Sequence, residues 1–353
     1  MDAVLLAVAF AVILVGAELF TNGVEWFGRK LELAEGAVGS VLAAVGTAMP
    51  ETMIPIIAIA FGGRGAATDD VGIGAVLGAP FMLSTLAMFV TGAGVIAYRS
   101  RRASGTAMTV DTGVLVHDIR FFVAAYALAI GAAFLPRDLD APRWAVAAVL
   151  LVAYAVYVKG HLDAERSAGE DDLAPLRFHR LDRAGREADA AVPRLRIVTV
   201  QVLAALACVV GGAYLFVGAV DALATSLGMS QLLLSLVIAP IATELPEKFN
   251  SLIWVRQGKD TLAMGNITGA MVFQSAIPTI VALVLAGSAW HVSSDSALAF
   301  TSALISLVAV AAVFGPMARR HKLDGKALLV GGLLYAAYLA LVVGQLTGTL
   351  HLG

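Results

Sequence analysis

The sequence predicts an all-α polytopic membrane protein with about ten transmembrane helices in two inverted five-helix repeats. Composition is the first observation behind this prediction. Of the 353 residues, 59% are hydrophobic and only 14% are charged, and the mean hydropathy is +0.85. These values are typical of helical membrane proteins and exclude an ordinary soluble domain. The other two observations are a series of long apolar runs and a polar motif that occurs in each half of the chain.

The apolar runs have the length that a membrane span requires, which is ~20 residues. Residues 1–159 contain five such runs, and residues 197–353 contain five more. Residues 160–196, between the two halves, are polar and rich in Arg, so we interpret them as a linker. The predicted spans, in chain order, are 3–27, 36–61, 70–97, 110–135, 142–159, 197–220, 230–254, 261–287, 296–317 and 326–347.

The positions of Lys and Arg predict the orientation of these spans. If the N-terminus is outside, the outside loops hold Arg64, Arg137 and Arg143, whereas most other Lys and Arg residues fall in inside loops. Cytoplasmic loops carry an excess of these residues. We therefore expect a plasma-membrane protein with both termini outside and a cytoplasmic linker at 160–196.

The repeated polar motif is a Pro-Glu pair, found at Pro50-Glu51 and again at Pro246-Glu247. Each pair lies inside a long apolar run, and the two glutamates are 196 residues apart. Because each half has an odd number of predicted spans, the second copy would insert upside down relative to the first. Inverted repeats of this kind characterise secondary transporters, whose ion sites lie near mid-membrane between the copies.

The chemistry of the motif favours a cation site. Pro50 cannot donate a backbone hydrogen bond to the Gly46 carbonyl, and Pro246 cannot donate one to the Ala242 carbonyl. Free carbonyls at membrane depth are tolerated where they line a cavity or bind something. Two facing motifs would combine such carbonyls with two carboxylates, a set that suits a hard cation such as Ca²⁺. The alternative is that each proline only kinks its helix and each glutamate bonds to a neighbouring helix.

Other ionisable residues in the spans leave alternatives open. Glu244 lies three residues before Glu247, so it is a third ligand or a proton acceptor, or else it pairs with Lys248. Lys248 either lowers the local negative charge or extends away from the site. Glu18, deep in the first span, is expected to have a supporting hydrogen-bonding role. The polar residues at 117–120 are interpreted as a charge-paired cluster at the membrane interface.

The residues around both motifs resemble the α-repeats of the Ca²⁺/cation antiporter superfamily. Residues 40–84, with the motif at 46–51 and a glycine-rich turn at 72–78, resemble the first α-repeat. Residues 236–275, with the motif at 242–247, resemble the second. The chain is similar to prokaryotic sodium/calcium exchanger proteins, but with atypical α-repeats.

This resemblance implies ten helices, an outside N-terminus and a cation bound by Glu51 and Glu247. It also implies that carbonyl and hydroxyl oxygens of Thr47 and Thr243 contribute to the site. Alternating access would come from sliding of the first and sixth helices past the central core.

The chain departs from the usual family pattern at several positions. The pattern Gly-Thr-Ser-x-Pro-Glu has Ala48 instead of Ser in the first repeat and Glu244 instead of Ser in the second. Ala79 and Ala270 replace the Ser that follows each glycine-rich turn. In sodium-coupled members, several of the replaced groups serve Na⁺ sites. Coupling to H⁺ through Glu244 is therefore an alternative hypothesis to coupling to Na⁺. Gln274 resembles the glutamine used in the cation/proton branch.

We predict a secondary antiporter that exchanges Ca²⁺, or a similar cation, for Na⁺ or H⁺. A Ca²⁺/H⁺-type or other cation/proton exchanger is one alternative, and a membrane protein that binds cations without transporting them is another. An intramembrane metalloenzyme is disfavoured because the His residues fall in loops or near helix ends. The predicted site residues are Gly46, Thr47, Glu51, Ala242, Thr243, Glu244, Glu247 and Gln274.

The predicted partners are inorganic cations and the lipid bilayer. The sequence has no basic stripe that would bind nucleic acid, and no cofactor is expected. The oligomeric state stays open, with a monomer compatible with the prediction.

Overall fold

The chain folds into long apolar helices. The computed structural model describes residues 2–30, 49–61, 66–165, 175–181 and 193–347. Within these residues, eight helices are long and apolar enough to cross a membrane, and shorter apolar helices lie at Thr52–Phe61 and Gln231–Pro240. The protein is therefore a polytopic helical membrane protein, as its composition predicts. The count of ten spans stays a prediction.

The helices are labelled here in chain order, and two short strands accompany them. The elements are α1 (Asp2–Lys30), α2 (Met49–Ile56), α3 (Ala66–Met82), α4 (Met88–Ala97), β1 (Ala107–Met108), α5 (Thr112–Ala132), α6 (Asp140–Glu165), α7 (Leu195–Leu227), α8 (Gln231–Thr243), α9 (Leu245–Arg256), α10 (Asp260–Leu285), α11 (Ala297–Arg320), β2 (Leu323–Asp324), α12 (Gly325–Leu328) and α13 (Val330–Leu346). Two π-helical segments continue helices of the first half, Ile57–Phe61 after α2 and Leu83–Ala87 after α3.

One predicted span is broken in the structure. The run at 230–254 is two helices, because α8 ends at Thr243 and α9 begins at Leu245. Glu244 lies at the break with φ −91° and ψ 3°. Pro246, near the start of α9, explains the break: it has no N–H to donate to the Ala242 carbonyl, and its ring fits the first turn of a new helix.

The two helices α1 and α7, which begin the two halves, pack along each other through glycines. A Cβ atom added at Gly16 would lie 2.8 Å from Val209, and one added at Gly23 would lie 2.8 Å from Val202. On the facing helix, a Cβ atom added at Gly212 would lie 2.7 Å from Ile13. Small residues on both helices thus let the two backbones approach closely, as is common in membrane proteins.

The third helix of the first half, α3, packs just as closely on α8 of the second half. A Cβ atom at Gly74 would clash with the Leu232 carbonyl oxygen, and one at Gly78 would clash with the Leu236 carbonyl oxygen. Ser235 on α8 also donates a 2.7 Å hydrogen bond to the Val71 carbonyl. Reciprocally, α10 of the second half packs on α2 of the first.

The loops on the predicted cytoplasmic side are joined by a buried ion pair. Arg102, after α4, donates two hydrogen bonds of 2.7 Å to the carboxylate of Asp260 in the first turn of α10. Both side chains are 1% exposed. Nearby, β1 pairs antiparallel with β2, with Ala107 opposite Asp324. These contacts hold the loops of the two halves together.

Candidate cation site

The first Pro-Glu motif lies at the start of α2. The backbone of Glu51 is in the first turn of this helix, which contacts α3, α7, α8 and α10. Neighbouring side chains of α2, including Thr52 and Ile54, are buried. Gly46, Thr47 and the side chain of Glu51 lie outside the described residues. The structure therefore puts the first motif's helix in the protein interior but gives no contacts for its predicted ligands.

The second motif lies at the break between α8 and α9. Ala242 and Thr243 form the end of α8, and Glu247 is in the first turn of α9. Their side chains lie outside the described residues. Broken helices with free backbone groups at their ends form the ion and substrate sites of many secondary transporters. The break is therefore where the physics of the membrane predicts a cation site.

Glu244, at the break itself, forms a buried ion pair with Lys248. The Glu244 Oε2 atom accepts a 2.9 Å hydrogen bond from Lys248 Nζ. The side chains of Glu244 and Lys248 are 1% and 7% exposed. The sequence left open whether Glu244 pairs with Lys248 and whether Lys248 extends away from the site. The structure answers both questions: the pair forms, and the ammonium group stays inside the protein.

Two buried oxygen atoms near the centre of the second half have no hydrogen-bond partner among the described residues. One is Glu244 Oε1, the second oxygen of the paired carboxylate, and the other is Oε1 of Gln274 in the middle of α10. Gln274 is only 2% exposed. A buried acceptor without a donor is costly unless something binds it. Both residues belong to the predicted ligand set, and both have an oxygen available to a cation.

The polar cluster at 117–120 includes a buried acid that forms hydrogen bonds to two other helices. Asp118 is 1% exposed and accepts hydrogen bonds from Tyr157 (2.8 Å) and Thr268 (2.6 Å). His117 stacks on Tyr157 with ring centroids 5.4 Å apart. Thr268 lies in the glycine-rich stretch after the second motif, so Asp118 links α5 to that stretch. A single acid inside an apolar helix was the signal for this role.

Glu18 does form a hydrogen bond, as expected, but at an exposed surface. Its partner is Arg177, 2.8 Å away, in the described part of the linker. The same linker segment donates backbone hydrogen bonds to Asn22 on α1 (3.0 Å) and to Gln201 on α7 (2.8 Å). Residues 175–181 are therefore docked across α1 and α7.

A cavity of about 720 Å³ lies at the ends of both motif-bearing segments. It touches Ile59 and Ala60, beyond α2, and Ser230 and Leu232, at the start of α8. At 1.5 Å per helical residue, the motifs lie roughly 12–25 Å from these residues along the helices. Three carboxylates line the cavity together with His291 and Arg137; they are those of Asp69, Asp70 and Asp295.

The comparisons with known proteins agree with this architecture. The family model described as sodium/calcium exchanger protein matches residues 1–160 and 197–347. A relative from Alkalimonas amylolytica, the candidate antiporter CaxA, is 26% identical over 332 residues, which cover 93% of this chain and 95% of the relative.

Three solved structures share the fold. The H⁺/Ca²⁺ exchanger CAX matches with a TM-score of 0.71 and 18% identity, over 96% of this chain and 82% of that one. The sodium-calcium exchanger NCX_Mj matches with a TM-score of 0.55 and 17% identity, over 96% and 97%. YfkE matches with a TM-score of 0.57 and 14% identity, over 97% and 98%. The chain therefore belongs to the sodium/calcium exchanger protein family, and it is a cation antiporter of the membrane rather than an enzyme.

Proposed function

We propose that this antiporter exchanges Ca²⁺ for a monovalent cation, Na⁺ or H⁺, across the plasma membrane. The site is formed by Glu51 and Glu247 with the oxygen atoms around the two Pro-Glu motifs. The observation that carries the proposal is the helix break at Glu244, a buried residue with one carboxylate oxygen that has no hydrogen-bond partner among the described residues. The family's name and those of its solved relatives support Ca²⁺ as the divalent ion.

The packing of the two halves supports the paired site. The segment that carries the first motif, α2, contacts α8 and α10 of the second half, whereas α8 contacts α3 of the first half. Contacts of this kind, between helices of different halves, are expected for two inverted repeats at 1–159 and 197–353. We infer that the ten-helix arrangement is present and that both motifs face the same interior volume.

The ligand chemistry suits Ca²⁺, which takes ~6–8 oxygen ligands at flexible geometry. The proposed donors are carboxylates, backbone carbonyls freed by proline, threonine hydroxyls and an amide oxygen. They belong to Gly46, Thr47, Glu51, Ala242, Thr243, Glu244, Glu247 and Gln274. Monovalent cations would compete for the same carboxylates, so only one kind of ion is carried in each direction.

Alternating access would involve α1 and α7. These helices pack mainly on each other and are much less buried than the span that contains α3 and α4. We propose that they slide together past the central helices and expose the site to each side in turn. The cavity lined by Asp69, Asp70 and Asp295 would be the outer opening, with both termini outside and the linker cytoplasmic.

The test is gradient-driven uptake in sealed liposomes that contain the purified protein. Ca²⁺ uptake is followed with an outward Na⁺ gradient and, separately, with an outward H⁺ gradient. Uptake with Na⁺ alone identifies Na⁺ as the coupling ion, and uptake with H⁺ alone identifies H⁺. If neither gradient drives Ca²⁺ uptake, the proposal of Ca²⁺ exchange is wrong.

A further inference from the structure

The buried Glu244–Lys248 pair places a fixed positive charge beside the proposed cation site. We propose that Lys248 acts as a tethered cation that sets the charge exchanged in each transport cycle, making the exchange electroneutral. This inference rests on the proposed function, because it assumes that Glu51 and Glu247 bind the transported ions.

The geometry places the Lys248 ammonium inside the protein beside the helix break. Glu244 and Lys248 are four residues apart across the start of α9, and the Lys248 N–H donates to the Glu244 carbonyl (3.2 Å). Their side chains also meet at 2.9 Å. Lysine at a membrane interface usually extends its ammonium toward water. Lys248 does not do so, since its side chain is only 7% exposed.

The pair is half closed, by which we mean that Lys248 occupies only one of the two carboxylate oxygens of Glu244. Lys248 occupies one oxygen of the Glu244 carboxylate, and the other oxygen is buried without a partner among the described residues. A carboxylate in this state can hold the ammonium on one side and a bound cation on the other. Because Glu244 lies at the helix break, three residues before Glu247, that cation would be the transported one.

The charge count then determines the stoichiometry. In the proposed site, the carboxylates of Glu51, Glu244 and Glu247 would carry three negative charges and the ammonium of Lys248 one positive charge, which leaves two negative charges. Uncompensated charge is expensive at membrane depth. The site is therefore neutral with one Ca²⁺ or with two monovalent cations, and exchange between these states moves no net charge. Without Lys248, neutrality would require a third monovalent cation.

The experiment measures the balance point of exchange in liposomes whose membrane potential is set with K⁺ and valinomycin. The balance point is the Ca²⁺ gradient at which no net Ca²⁺ flux occurs for a given monovalent gradient. For the unaltered protein we expect a balance point that does not change with the potential. For Lys248→Gln we expect a tenfold change in the balancing Ca²⁺ ratio for about 59 mV of potential, which corresponds to one net charge.

Two further variants separate charge from structure. The conservative variant Lys248→Arg keeps the positive charge while changing the shape of the side chain, so we expect a balance point independent of potential. The matched control is Lys259→Gln, which removes an exposed lysine after α9 and is expected to behave like the unaltered protein.

Several results would overturn the inference. The clearest is an unaltered protein whose balance point follows the potential, and this result does not depend on any variant folding. A Lys248→Gln protein that exchanges ions without dependence on potential would also contradict it. Absence of any exchange in the unaltered protein would instead contradict the proposed function, so the two failures are distinguishable.

Discussion

At the scale of single residues, two buried ion pairs in the described part of the chain differ in how completely the carboxylate is satisfied. Arg102 and Asp260 form a closed pair, in which the Asp260 carboxylate also accepts from the Thr109 backbone N–H at 2.8 Å. Glu244 and Lys248 form a half-closed pair, in which the second carboxylate oxygen has no partner among the side chains that the structure describes. The closed pair is suited to holding loops together, whereas the half-closed pair is suited to binding.

The closed pair is expected to contribute strongly to stability. Asp260→Ala would leave the Arg102 guanidinium buried without its main partner, at a cost of about 3–5 kcal/mol. We expect a clear drop in the midpoint of thermal unfolding in detergent. Asp138→Ala, which alters an exposed loop residue, is the control and should leave the midpoint nearly unchanged. Equal midpoints for the two variants would show that the pair is not important for stability.

Sequence reasoning identified the residues of the second motif but not their pairing. The spacing of Glu244 and Lys248 allowed an ion pair, yet a lysine in a membrane span can also reach toward the interface. Only the packing of α9 against α10 and α4 decides between these possibilities. Arg102 likewise looked like an ordinary inside-loop charge, because its partner Asp260 is far away in the sequence.

At the scale of helices, a proline marks an interruption that the apolar pattern does not show. The pattern predicted one span at 230–254, and the structure has two helices that meet at Glu244. Hydrophobic periodicity does not distinguish a continuous helix from a broken one, since both bury the same apolar residues. The signal for the break was Pro246, which cannot donate a hydrogen bond to the Ala242 carbonyl and fits the first turn of a new helix.

The close contact between α3 and α8 depends on glycine. Gly78→Ala would place a Cβ atom against the Leu236 carbonyl oxygen and 2.8 Å from Pro240. We expect this variant to separate the helices, to lower the yield of monodisperse protein and to reduce Ca²⁺ exchange at least severalfold. Gly218→Ala on α7, where an added Cβ meets nothing within 4 Å, should preserve both. Normal yield and exchange for Gly78→Ala would contradict the importance of this contact.

The docked linker segment gives a second prediction for an element. Gln201 is fully buried and connects the segment to α1 by donating to the Leu19 carbonyl (2.9 Å) and to Asn22 (3.0 Å). Gln201→Leu should release residues 175–181, so that trypsin cleaves after Arg177 more rapidly. Gln257→Leu, at an exposed position after α9, is the control. An unchanged cleavage rate for Gln201→Leu would show that the segment is held by other contacts.

At the scale of the whole molecule, helices of each half pack against helices of the other half. The glycine-rich α3 lies on α8, and α10 lies on α2, so each motif is framed by helices of the other half. The sequence predicted the repeats from the matching motifs, and it predicted the membrane class from composition. The contacts between the halves could not be predicted. The apolar faces of the helices have similar compositions, so the sequence does not show which faces pack together.

The acidic cavity is expected to attract cations to the site. Asp69→Asn combined with Asp295→Asn should raise the Ca²⁺ concentration for half-maximal exchange severalfold at low ionic strength, because the local negative potential is reduced. The effect should shrink at ~0.15 M salt, where charges are screened over about 8 Å. Asp324→Asn, on the opposite face, is the control. An effect that is the same at all salt concentrations would contradict attraction by charge.

Ion exchange at the two Pro-Glu motifs can be tested by replacing their glutamates one at a time. Gradient-driven Ca²⁺ uptake into liposomes is compared for the unaltered protein, for Glu51→Gln, for Glu247→Gln and for Glu18→Gln. We expect uptake to be lost in both motif variants and retained in Glu18→Gln, whose side chain is 66% exposed and pairs with Arg177 of the linker. Uptake that persists when Glu51 and Glu247 are both replaced would contradict the account.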